Sequence, residues 1–171
     1  MHKPEYSFEL ESPSDLLAKA RRELAQLARA QHSLNEMDSV SDHGFNCAIT
    51  IWHIADWIWK LYNPNNTKNL QCLGLKEFKD LHSLIRRESE AMAICYEIAT
   101  GSKHMKLDKK PDFKPQVAAT EVSAGPSTIL ATEIFKVLKV DLINGERKRA
   151  VDIFKDAIDY WERFFATYKI S

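Results

Sequence analysis

His53 and Asp56 stand three residues apart in the segment 42–62, DHGFNCAITIWHIADWIWKLY, which is the stretch of this chain best equipped for chemistry. A carboxylate beside an imidazole fixes its tautomer and raises its basicity, as a general base or a metal ligand requires. If the segment is helical, successive residues turn by 100°, and Asp42, His43, Asn46, Thr50, His53, Asp56 and Lys60 fall within a sector of about 140°. Nearly all other positions are apolar. Trp52 and Trp59 lie on one side, where aromatic rings at helical spacing bury area, whereas Trp57 falls among the polar residues and marks a pocket or a partner surface. Farther along, Glu90 and Glu97 are seven residues apart and share a face of a third helix. Packing that face on the polar stripe yields a pocket between the second and third helices that draws on His53, Asp56, Trp57 and Glu97. An alternative is a divalent-metal site of His53, Asp56, Glu90 and Glu97 in a bundle interior. The sequence has neither Glu-x-x-His nor His-x-x-x-His, so the main expectation is that no metal or other cofactor is bound.

The third helix leads into Glu97-Ile98-Ala99-Thr100-Gly101-Ser102-Lys103-His104. Lys103 and His104 beside Ser102 can hold an anion at this turn, and they also suit the negative end of a helix dipole. A polar set on the second helix, followed by a third helix that closes in a short turn with a histidine, resembles the HEPN-type domains over roughly residues 41–107. These domains form a nucleotide-binding and RNase superfamily of prokaryotic defence and toxin systems. The resemblance implies a helical core and a ligand site that includes Lys103 and His104. Catalytic HEPN members carry an arginine, then four to six residues, then the histidine. With His104 as that histidine, the arginine positions hold Glu97, Ile98 and Ala99, so the resemblance implies a catalytically degenerate binding module rather than a nuclease.

Residues 103–114 contain five lysines and one histidine against two aspartates. Lys103, Lys106, Lys109 and Lys110 are therefore candidates for weak, salt-dependent contact with nucleic acid. Phe113 is the one aromatic nearby, so base stacking is not supported. Glu146-Arg147-Lys148-Arg149 adds a second basic run.

The elements that must position these groups are mostly helical. Ser12-Pro13-Ser14-Asp15 opens a first helix as a capping box, and Leu16, Leu17, Ala20, Leu24, Leu27 and Ala28 carry it to about residue 33. The tryptophan-rich helix spans about 41–62 and stops at Asn63-Pro64-Asn65-Asn66. The third runs over about 75–100, kinked or broken near Arg87, and Gly101 is suited to close it. Residues 116–148 are rich in β-branched side chains, with Asn144-Gly145 as a two-residue type I′ turn. Val151, Phe154, Ile158, Trp161, Phe165 and Tyr168 give a last helix over about 149–168. The expected fold is mostly α, a four-helix bundle-like core with a small antiparallel hairpin or three-stranded sheet inserted before the last helix.

A chain of 171 residues suits a single domain that buries its core without staples. Its 24 basic and 24 acidic residues cancel, so no global field recruits nucleic acid or an anionic membrane. Zero net charge favours a homo-oligomer. No signal peptide or membrane span is read from the sequence, because charged side chains interrupt the longest apolar tract. Cys47, Cys72 and Cys95 lack disulfide or metal spacing and fit a cytoplasmic setting. Three functions follow: a helical binding or interaction module, a metal-dependent bundle enzyme, or a purely structural oligomerising protein.

Overall fold

The computed structural model describes residues 9–32, 39–101, 113–114, 137–142 and 144–171. Five helices and three short strands follow in the order α1 (Pro13–Ala30), α2 (Ser39–Tyr62), α3 (Phe78–Glu88), α4 (Glu90–Gly101), β1 (Phe113–Lys114), β2 (Lys139–Leu142), β3 (Arg147–Arg149) and α5 (Ala150–Tyr168). The mostly helical class with a small antiparallel sheet before the last helix is thus present. Most of the expected β-rich insertion, residues 115–136, lies outside the described residues.

α1 begins where the Ser12 hydroxyl and the Asp15 carboxylate cap one another's backbone. Asp15 N–H donates to Ser12 Oγ at 3.1 Å, and Ser12 N–H donates to Asp15 Oδ2 at 2.9 Å. These bonds, with one from Glu11 N–H, hold the Asp15 carboxyl below its ordinary pKa. Asp80 does the same for α3, accepting from the backbone N–H groups of Lys76 and Glu77 at 2.9 Å each.

The expected third helix is two helices. Ser89 leaves the helical region at φ −142° and ψ 116°, one residue beyond Arg87-Glu88. Its hydroxyl then accepts from Met92 N–H at 3.3 Å and its carbonyl from Ala93 N–H at 3.0 Å, so the residue that ends α3 starts α4. The loop before α3 is also more structured than its polar composition suggests, because Leu70 is fully buried beside a short 3-10 turn at Gln71–Leu73.

α2 sits at the centre and packs on all four other helices. Its buried residues run from Thr50 through Cys47, Ile51 and Ala48 to Trp52, an arc of about 200° at 100° per residue. Trp161 of α5, fully buried, donates its indole N–H to the carbonyl of Ile51 at 2.9 Å. Ile51 marks the middle of that arc. Arg21 of α1 reaches Glu162 of α5 at 2.7 Å. At the far end, Tyr62 donates to the Ser171 carbonyl at 2.9 Å, and Asn69 Nδ2 donates to the carbonyls of Tyr168 and Lys169 at 2.9 Å each. The last carbonyls of α5 therefore keep partners although the helix has ended.

The sheet has the order β1-β2-β3, antiparallel throughout, with Phe113 opposite Leu142 and Asp141 opposite Arg147. The hairpin differs from the expected two-residue turn. Gly145 N–H donates to Leu142 O at 2.9 Å and Leu142 N–H to Glu146 O at 2.8 Å, which closes a three-residue loop over 143–145. Gly145 takes the left-handed conformation at φ +86°, the bulge position of such a loop. Val140 and Leu142 point into the core, and Leu138 lies over Gly44 of α2. A Cβ on Gly44 would stand 2.3 Å from Leu138 Cδ2, so the glycine admits the chain leading into β2 against the helix.

Two substitutions separate end-capping from core anchoring. Ser12→Ala is expected to cost about 1 kcal/mol through loss of the cap, and Trp161→Phe about 2–3 kcal/mol through lost ring volume and the bond to Ile51. Urea unfolding followed by circular dichroism measures both, and equal losses would contradict the central role given to Trp161.

Candidate functional site

Most of the polar stripe of α2 lies outside the buried arc, the two overlapping at Thr50. His53 is about 160° round the helix from Ile51 and Asp56 about 140°, and both are half-buried. Asp42, Asn46 and Lys60 of the same stripe are exposed. One edge of the stripe turns toward α1: Thr50 is buried and accepts from Lys19 Nζ at 2.8 Å, while Lys19 also pairs with Glu23 at 2.8 Å. Trp57, half-buried, packs on the core margin. Trp52, on the opposite edge, is the residue that meets α3 and α4.

Glu97 belongs to a different place. α4 runs antiparallel to α2, since Gly101 lines the same groove as Ser41 and Gly44, whereas Tyr96 meets Trp52. Glu97 faces that groove. His53 and Asp56 lie eight and eleven residues beyond Phe45, another of its lining residues, about 12 and 17 Å along α2 at 1.5 Å per residue. Glu97 thus lines the groove, and His53, Asp56 and Trp57 are not among the residues that line it. Lys103 and His104 lie outside the described residues, as do Lys106, Lys109 and Lys110. Nor is the set His53, Asp56, Glu90 and Glu97 assembled for a divalent ion: among the described residues no three His, Cys, Asp or Glu side chains converge on such a point. Glu90 is instead paired with Lys148.

The second basic run is neutralised residue by residue. Arg147 makes two bonds to Asp141, at 2.5 and 3.0 Å, Lys148 bonds Glu90 of α4, and Arg149 makes two to Asp152, at 2.7 and 2.9 Å. These partners hold Asp141 below its ordinary pKa and Lys148 and Arg149 above theirs. Lys148 and Glu90 also line a polar cleft of about 220 Å³ with Ser89, Asp156, Asp159 and Arg163. Acids and bases both line it, and two of them, Lys148 and Glu90, are paired with each other.

An aromatic row seats α3. Trp59, Phe78, His82, Trp52 and Tyr96 follow one another at centroid distances of 6.0, 4.0, 4.5 and 4.9 Å, and the Arg86 guanidinium lies 4.4 Å over the Tyr96 ring. His82 Nε2 is buried there without a hydrogen-bond partner. Burial, reinforced by the Arg86 charge, pushes its pKa down to about 4. Sequence reasoning passed over His82, although its spacing of four from Phe78 puts the two rings on one helix face.

A second concavity is an apolar groove of about 210 Å³. Phe45 and Gly44 of α2, Ile98 and Gly101 of α4, Leu138 and Val140 at β2, and Ala150 and Phe154 of α5 form its walls, with Ser41, Glu97 and Lys139 as the polar members. Among the described residues Phe45 is the exposed large hydrophobic side chain, at 40 %. Its signal was present in the sequence, as an aromatic between Asp42-His43 and Asn46. Lys139 and Leu138 carried none, because they reach the groove only once β2 docks on Gly44. Buried thiols contribute nothing at this site: desolvation raises Cys47 to about 12 and Cys95 well above its ordinary value.

No family model matches the chain, and no curated protein or solved structure matches it either.

The aromatic row predicts a pH response. In the unfolded chain His82 takes a proton near 6.5, but in the folded chain only near 4, so stability is full above pH 6.5 and falls as pH drops through that window. An NMR titration is expected to show the His82 ring neutral down to about pH 4. In His82→Phe the decline in stability between pH 6.5 and 4 should be shallower. A His82 midpoint near 6.5 would refute this.

Proposed function

We propose that this chain is a non-catalytic interaction module of HEPN-like helical type, and that it binds through the groove between α2, α4, β2 and α5. The observation that carries this reading is an apolar concavity of about 210 Å³ with an exposed phenylalanine at its lip. Such a recess excludes water around an apolar group, while a few polar side chains fix its orientation. The ligand chemistry that fits is one aromatic or branched aliphatic side chain of a protein partner, flanked by polar groups that meet Glu97 and Lys139.

The HEPN-like part of the proposal rests on the helical core and on α4 ending at Gly101, three residues before His104. The nuclease activity of that superfamily is not proposed. An arginine would be needed at 97–99 to supply a permanent bidentate donor to the phosphate. Those positions hold Glu97 and the buried Ile98 and Ala99. Three free thiols suit a cytoplasmic, reducing setting. Among the described residues no helix is long and apolar enough to cross a membrane.

N-acetylphenylalaninamide serves as a minimal probe of the groove. Titrated at millimolar concentration into the labelled protein, it is expected to shift the amide resonances of Ser41, Glu97, Gly101 and Val140 saturably. Gly101→Trp should abolish those shifts, because a Cβ at Gly101 meets nothing within 4 Å and a large side chain there enters open groove space. Shifts that never saturate, or that survive Gly101→Trp, would remove the groove as the site.

A further inference from the structure

We propose that the polar cleft between the start of α4, β3 and α5 binds a free basic amino acid, of which L-lysine is the simplest case. This cleft is separate from the groove, with which it shares no lining residue. Its volume of about 220 Å³ suits a single amino acid rather than a larger ligand. Ala91, Ile94 and Ile153, all buried, give it an apolar floor, and charged side chains line the rest. A basic amino acid has the matching build, a carboxylate and two cations joined by an apolar stem.

Three of the charges are left for a ligand. Lys148 is held by Glu90 and Glu146, and although it feels the charge of Asp156 it needs no third partner. The side chains of Asp156, Asp159 and Arg163 take no hydrogen bond or ion pair among the described residues. Asp159 and Arg163 stay apart even though a spacing of four on a helix allows such a pair to form. The three stand at i, i+3 and i+7 of α5 and share a sector of about 60°. Along that face Asp159 lies about 6 Å and Asp156 about 10.5 Å from Arg163, at 1.5 Å per residue.

Read from Arg163, the order is base, acid, acid. Lysine presents the opposite charges in the same order: carboxylate, α-ammonium, then an ε-ammonium at the end of a four-carbon stem. Arg163 offers the carboxylate a bidentate donor, Asp159 takes the α-ammonium and Asp156 the side-chain cation. The stem then lies over Ile94 and Ile153. The three side chains sum to one negative charge and the ligand to one positive, so the net charges also match. Asp156 and Arg163 are exposed, and water competes for each contact. The dissociation constant is therefore on the order of 1 mM.

An NMR titration of L-lysine into the isotopically labelled chain at constant ionic strength tests the proposal, with three analogues that each lack one group. L-lysinamide lacks the carboxylate, Nα-acetyl-L-lysine the α-ammonium and L-norleucine the side-chain cation. L-lysine is expected to shift the amide resonances of Glu90, Ala91, Lys148 and Asp159 saturably, and each analogue to bind about fivefold more weakly or worse. Arg163→Gln should weaken lysine to a similar degree but leave lysinamide unchanged, and Asp156→Asn should weaken lysine but leave norleucine unchanged. A merely structural role of either residue would weaken both ligands alike. Circular dichroism confirms that the variants are folded, and the analogue series in the parent chain stands without them.

Shifts that do not saturate well above the expected dissociation constant overturn the site. So do shifts that potassium chloride reproduces at the same ionic strength, or analogues that bind as well as lysine. A variant that weakens lysine and its matched analogue equally, or weakens neither, overturns the proposal as well.

Discussion

The fold depends on enclosing α2. A helix apolar over about 200° of its circumference cannot be satisfied by one neighbour, because a single packed helix covers only a stripe of roughly half that width. α1, α3, α4 and α5 each take a share of the arc. The bond from the Trp161 indole to the Ile51 carbonyl fixes α5 against the middle of it, at the position farthest from the hydrophilic stripe. With that contact in place the angular positions left for the other three helices are few. The aromatic row then locates α3, and the Lys19–Thr50 bond marks where α1 gives way to solvent.

Much of this framework was legible in the chain because it is local. The Ser12-to-Asp15 pattern names a cap that exists, and the alternating spacing from Val151 to Tyr168 gives α5 to within about a residue. The division of the third helical region near Arg87 is a single residue, Ser89, whose small hydroxyl side chain can end one helix and begin the next. The turn at Asn144-Gly145 was placed correctly but given too few residues. Its loop length is set by where Leu142 and Glu146 pair, which depends on β2 being anchored to α2 through Leu138.

The candidate site was legible only in part, and for the opposite reason. Helical periodicity tells which residues share a face, but not what that face meets. His53, Asp56 and Trp57 do share a sector, yet the partners of α2 that the argument needed, α3 and α4, press on the other side of the helix through Trp52 and Trp59. Glu97 lines a recess walled by Leu138, Val140 and Phe154, residues 41 to 57 positions away in sequence, so no local pattern could name its neighbours. Likewise the run Arg147-Lys148-Arg149 reads as a basic patch until Asp141, Glu90 and Asp152 are seen beside it.

The interruption at Ser89 has a mechanical consequence. By uncoupling α3 from the axis of α4, it leaves α3 as a flap hinged at one residue and held to the rest by the buried Leu81 and Ile85, the Tyr160–Glu88 bond and the ring contacts around His82. Amides of α3 are thus positioned to exchange with solvent through local opening, ahead of the global unfolding that α2 and α5 must await. Acid loosens this latch first, since a proton on the imidazole must be accommodated among aromatic faces and next to a guanidinium.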